Sequence, residues 1–170
     1  ERFPQLAKCF FVEAGSDTEH TYLVTADSTG KVVKISLNDS KEQFRPQRFD
    51  SPVGMDYQDI DHDGQNEYVF QSGSELTIYN QQKKLVASYR FNEQVMPQPL
   101  IIHLPDCSSR IGAVSSTVNS VYLLNATCTP ITGFPVKGKT RFTIGNLTTE
   151  NLLYLITGSA DNRLISYPLE

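Results

Sequence analysis

The chain has no tryptophan, only two methionines and only three cysteines. It has no long apolar run. The longest, Leu152-Leu153-Tyr154-Leu155-Ile156, is far too short to cross a bilayer. It has no basic excess: 15 Lys and Arg stand against 19 Asp and Glu, for a net charge of −4, which leaves no electrostatic footprint for nucleic acid. No apolar stripe at helical period is sustained, which excludes long amphipathic helices. No Gly-x-Ser-x-Gly elbow, Cys–His pair or phosphate-cradling loop occurs, so the common hydrolase and nucleotide-binding signatures are missing. What is present is Tyr and Phe, 8 and 9 of them, set with Val and Thr in short runs separated by turn residues. That composition predicts an all-β protein. At 170 residues it suits one domain, with a core that can fold without staples. The chain begins at Glu1 without Met or a visible signal peptide, as expected of a mature product or part of a longer chain.

The apolar pattern repeats at about 43 residues, four times. Val33-Lys34-Ile35-Ser36 matches Leu76-Thr77-Ile78-Tyr79, Val121-Tyr122-Leu123-Leu124 and Leu164-Ile165-Ser166-Tyr167. A set before it matches likewise: Tyr22-Leu23-Val24-Thr25, Tyr68-Val69-Phe70-Gln71, Ile111-Gly112-Ala113-Val114 and Tyr154-Leu155-Ile156-Thr157. Turn residues such as Ser72-Gly73-Ser74 lie between the two sets, so each pair predicts a β-hairpin. A strand is expected before each hairpin, at Phe10-Phe11-Val12, Tyr57-Gln58-Asp59, Leu100-Ile101-Ile102 and Phe142-Thr143-Ile144. A fourth strand is expected after it in three units, at Gln43-Phe44-Arg45, Val86-Ala87-Ser88-Tyr89 and Ile131-Thr132-Gly133-Phe134. Four short antiparallel strands per repeat is the arithmetic of a β-propeller blade. The expected blades span about 8–50, 54–93, 97–138 and 140–170. A non-repeating sandwich is the competing reading. The last unit lacks a fourth strand. Either residues near 1–6 supply it and the ring closes within the chain, or the chain is part of a larger propeller, which the small number of blades favours.

The stretch Asp59-Ile60-Asp61-His62-Asp63-Gly64-Gln65-Asn66-Glu67 puts carboxylates at loop positions 1, 3, 5 and 9 and glycine at 6. Carboxylates this close repel one another unless a cation sits among them, and a hard cation such as Ca²⁺ takes six to eight oxygen ligands. The expected ligands are the side chains of Asp59, Asp61, Asp63 and Glu67 and the Gln65 carbonyl. Position 12 is Phe70, and the flanks read as strands, so this is not an EF-hand. A solvated acidic turn is the alternative. The other units carry too few carboxylates in the equivalent loops, so one calcium site is expected.

The loop followed by a strand resembles the FG-GAP and related calcium repeats of integrin-type propellers, where such a loop joins the first two strands of a blade. The resemblance implies the same five ligands, although Glu67 stands where the final Asp is usual. Over nearly the whole chain, Ser88-Tyr89-Arg90-Phe91, Gly133-Phe134-Pro135-Val136-Lys137-Gly138, Arg141-Phe142-Thr143-Ile144-Gly145-Asn146 and Gly158-Ser159-Ala160-Asp161-Asn162 resemble the C-terminal, WD40- or PQQ-like propeller of large envelope proteins of Bacteroides-type bacteria. That resemblance implies a longer parent chain and carries no assigned chemistry.

Counting outward from the hairpin turn near Val118 puts Cys107 opposite Cys128, close enough for a disulfide. Cys9, beside Phe10-Phe11, reads as a buried thiol. A disulfide together with a calcium site predicts an extracytoplasmic protein, in the periplasm or at the cell surface. Asn38, Asn125 and Asn146 begin Asn-x-Ser/Thr runs of the kind that arise by chance. None of His20, His62 and His103 lies near a second histidine in sequence. His62 is expected in water, and His103 satisfied or facing the channel. Asp56 and Asp106 read as solvated acids, and Lys83-Lys84 as a solvated turn. The expected function is a non-catalytic binding or scaffold module for a protein or glycan partner. The alternative is part of a propeller enzyme, a quinone-dependent dehydrogenase or a polysaccharide-degrading enzyme, with its site in the central channel.

Overall fold

A computed structural model describes residues 9–14, 21–36, 40–147 and 152–169, and among them every regular element is a strand. The strands form four separate antiparallel sheets in chain order. The first holds β1 (Cys9–Glu13), β2 (Tyr22–Ala26), β3 (Val32–Ser36) and β4 (Lys41–Phe44). The second holds β5 (Val53–Gln58), β6 (Glu67–Ser72), β7 (Glu75–Tyr79) and β8 (Leu85–Arg90). The third holds β9 (Leu100–His103), β10 (Ser109–Ser115), β11 (Ser120–Asn125) and β12 (Val136–Lys137). The fourth has three strands, β13 (Thr143–Asn146), β14 (Leu153–Gly158) and β15 (Leu164–Pro168). Each sheet is a simple meander, and β5 lies beside both β1 and β9, so the first three sheets stand side by side with their first strands adjacent, while the fourth meets the third through a shared apolar core.

Burial follows from this stacking. A strand covered on both faces needs apolar residues at successive positions, and every residue of β6 is buried. The outer strand β8 alternates between exposed and half-buried residues. Three apolar cores fill the three joints. Phe11, Val24, Met55, Tyr57, Tyr68 and Phe70 meet between sheets one and two. Ile60, Val69, Ile78, Phe91, Ile111 and Leu124 meet between two and three. Leu123, Phe142, Ile144, Leu155 and Tyr167 meet between three and four. No sheet owns a core; each core belongs to a pair, as in any stacked repeat. The repeated hairpins predicted from the apolar pattern are β2–β3, β6–β7, β10–β11 and β14–β15.

Two expectations are corrected. The outer strand of the third unit forms at Val136–Lys137, not at Ile131–Phe134. Gly133 at φ 87 and a turn closed by Phe134 N–H on Ile131 O break that stretch, although Ile131 N–H still bonds Leu123 O. The Cys107–Cys128 disulfide is not formed; both thiols are free. The β10–β11 ladder ends at Arg110 opposite Asn125, and both chains then enter turns of their own. Leu104 N–H bonds Ser108 O in one turn and Asn125 N–H bonds Thr129 O in the other. Cys107 and Cys128 sit in these separate turns at φ 60 and 62. Cys107 is exposed, while Cys128 packs into the joint between sheets two and three, and burial pushes its thiol up to about 12. Expectations placed on residues 1–6, His20, Asn38 and the Cys9 side chain fall outside the described residues.

Candidate functional site

The acidic loop spans the gap between β5 and β6, whose last rung pairs Gln58 with Glu67. Its backbone is folded by its own carboxylates. Asp59 accepts from the N–H of Asp63 at 3.1 Å and of Gly64 at 3.0 Å, and Asp61 accepts from Asp63 N–H at 3.2 Å. Asp63 accepts from Gln65 N–H at 2.7 Å. Gly64 has φ +88, and a β-carbon there would meet nothing within 4 Å, so backbone conformation alone calls for glycine.

One oxygen from each of Asp59, Asp61 and Glu67 comes within 4.8 Å of the others. Of the four predicted carboxylate ligands, the structure brings these three together. The Asp63 carboxylate is turned onto the backbone of Gln65 instead, and the Gln65 side-chain amide reaches Asp63 at 3.4 Å. Glu67 is only 4% exposed and accepts from Ile60 N–H at 2.9 Å. Burial and the repulsion of Asp61, Asp63 and Asp59, opposed by that N–H, push its carboxyl up to about 7. Converging carboxylate oxygens, one of them on a nearly buried residue, are donors of the kind a hard divalent cation takes, and number three of the six to eight such an ion would need. The Ile60 side chain, 2% exposed, anchors the loop in the core between sheets two and three.

His62 and His103 meet, contrary to the expectation that His62 stands alone in water; their rings are 5.4 Å apart, edge to face. They belong to a chain of polar contacts. The Gln58 amide N–H donates to the buried Asp56 carboxylate at 3.0 Å, so its carbonyl oxygen accepts from His103 Nε2–H at 2.8 Å. In the neutral ring, His103 Nδ1 then accepts from the Ser109 hydroxyl at 3.0 Å, and the Ser109 oxygen accepts from His62 Nε2–H at 3.2 Å. Asp56 is thus not a solvated acid, and burial raises its pKa. Asp106 is an exposed turn cap, bonded to the N–H and hydroxyl of Ser108, as expected of a solvated acid. The Gln58–His103 contact had a signal in the repeat: the two residues stand as far apart as Leu76 and Val121, so they are equivalent positions of consecutive units. An open cleft of about 400 Å³ lies over this region, lined by Val12, Tyr57, Gln58, Asp59, His62, Asn66 and His103.

No protein-family model and no curated protein matches the chain. Solved structures do. A streptogramin B lyase matches at 14% identity and TM-score 0.53, over 94% of this chain and 54% of that one. BBS1N in complex with ARL6DN matches at 14% and 0.62, over 98% and 52%. A catalytically inactive virginiamycin B lyase from Staphylococcus aureus, with quinupristin, matches at 11% and 0.54, over 98% and 58%. The four sheets are β-propeller blades. At such identity the likeness concerns the fold alone, and the chain spans about half the length of these proteins. No helix among the described residues is long and apolar enough to cross a membrane.

Proposed function

We propose that this chain is a non-catalytic propeller module that binds a protein or glycan partner outside the cytoplasm, with one structural calcium ion held in the loop of its second blade. The observation that carries the calcium reading is the convergence of Asp59, Asp61 and Glu67 oxygens within 4.8 Å, on a loop whose backbone is already folded around them. These residues would hold the ion, which would supply the positive charge that the buried Glu67 lacks. Blade edges and loops offer the partner surface, and one structural neighbour is described in complex with a protein. The extracytoplasmic setting rests on the loop, since calcium sites of extracellular modules work at about 10⁻⁴–10⁻³ M. The polar chain beside the loop favours a structural role over catalysis. Both His103 nitrogens are engaged, and Ser109 is 3% exposed, out of reach of a substrate.

Isothermal titration with calcium chloride tests the site. Saturable heat from the wild-type chain that vanishes in Asp61→Ala supports it. No heat at calcium levels up to about 10 mM, above the range of extracellular modules, overturns it.

A further inference from the structure

We propose that the acidic loop is a clamp between the second and third blades, so that loading it with calcium orders β9 and β10 as well as the loop itself. The inference rests on the calcium reading above and adds a pathway through residues that are not ligands. Two side chains of the loop leave it in the direction of the third blade. Ile60 enters the joint core with Ile111 of β10 and Leu124 of β11 in the same cluster, while its own N–H is held by Glu67, one of the converging carboxylates. His62 donates to Ser109, the first residue of β10, and packs against His103, the last residue of β9. His103 returns to the second blade through Gln58, the last residue of β5. The loop is therefore bounded on one side by candidate ligands and on the other by the facing ends of two strands of the next blade.

Both the loop backbone and these contacts depend on one local geometry. His62 sits at φ 63 and Gly64 at φ 88, and Asp59 holds the N–H groups of Asp63 and Gly64 that follow. If the loop opens, Asp59 and Asp61 separate and the His62 ring leaves Ser109 in the same movement. An ion that binds only the closed loop stabilises it by mass action. Any opening of β9–β10 that requires loop opening is suppressed by the same factor.

Hydrogen exchange with calcium chloride or with a chelator reads this directly, with titration calorimetry run alongside. At calcium ten times its dissociation constant, exchange through ion-releasing openings slows by about tenfold. The expected result is that slowing in residues 59–67 and also in 100–104 and 109–112. In His62→Asn, which keeps a residue that tolerates positive φ but shortens the side chain, calcium affinity and slowing in 59–67 should persist. Slowing in β9–β10 should fall away, and Ser109→Ala should repeat that pattern. Calcium heat with slowing confined to 59–67 in the wild-type chain overturns the clamp and leaves the calcium site standing. Unchanged β9–β10 slowing in both variants also overturns it. Absence of calcium heat overturns the site and the clamp together.

Discussion

Phe142 of the fourth blade lies where a side chain on Gly112 of the third would have to go. A β-carbon built on Gly112 would stand 2.2 Å from the ring Cζ. Gly112 is an interior residue of β10, and Phe142 is 6% exposed in the joint core. The glycine is the seat of the ring. Gly112→Val should displace it and cost about 1–3 kcal/mol, as overpacking does. Urea denaturation measures this, and a variant as stable as the wild type would show that the ring is free to move.

The joint between blades one and two has a polar counterpart. Tyr57 O–H donates to Glu13 at 2.5 Å and accepts from the Gln81 amide at 2.6 Å, and Lys34 Nζ approaches the same Glu13 oxygen at 2.6 Å. Tyr57→Phe removes a bond to a charged acceptor and should destabilise by about 2 kcal/mol. Lys34→Met should change the effect of Tyr57→Phe, because the two donors share one oxygen. Additive losses in the double variant would count against a shared node.

Glu67 makes the calcium-free protein sensitive to pH in an unusual direction. Its carboxyl is pushed up to about 7 in the fold, from an ordinary 4.5. Between those values the folded chain holds a proton that the unfolded chain has released. Stability in chelator should therefore fall as pH rises from about 4.5 to about 7, and level off above that. Melting temperatures across pH 5 to 8 test this, and Glu67→Gln should flatten the decline. Asp56, also raised by burial, contributes in the same direction as pH rises above its ordinary 3.8. A wild-type melting temperature that climbs through the window would refute the assignment.

The two described thiols should differ in reactivity. Cys107 is exposed, and Cys128 is 4% exposed with its thiol pushed up to about 12. A thiolate is the reactive form, so iodoacetamide at neutral pH should label Cys107 in the native state and reach Cys128 only on unfolding. Peptide mapping distinguishes the sites. Equal labelling, or a mass rise of two protons on reduction from a bridge between the two, would contradict the turn geometry.

The repeat was legible because it is written in side-chain chemistry. Val33, Leu76 and Val121 occupy corresponding positions of β3, β7 and β11, and their apolar neighbours read as strands wherever they occur; in β15 the ladder puts Ile165 there, one residue past the Leu164 that the spacing matched. Features decided by backbone path were harder to see. The hairpin register at Arg110 and Asn125 was countable, but nothing in the sequence announced that both chains would leave it through positive-φ cysteines. Ile131 and Phe134 have the composition of a strand, yet the ladder waits for Val136 beyond the Gly133 turn. In the loop, spacing identified the carboxylates, whereas the diversion of Asp63 to the Gln65 backbone is a local competition that spacing does not encode. The Gln58–His103 contact crosses between units, and only aligning the repeats position by position brings it out.

The fourth sheet has three strands where its neighbours have four, and β15 carries Leu164 at 82% exposure beside a ladder whose far side is unpaired among the described residues. In a row of units that stabilise each other only pairwise, the unit with the fewest rungs loosens first. Thermal loss of order should therefore travel inward from β15, reaching the second blade, with its fully buried β6, last of all.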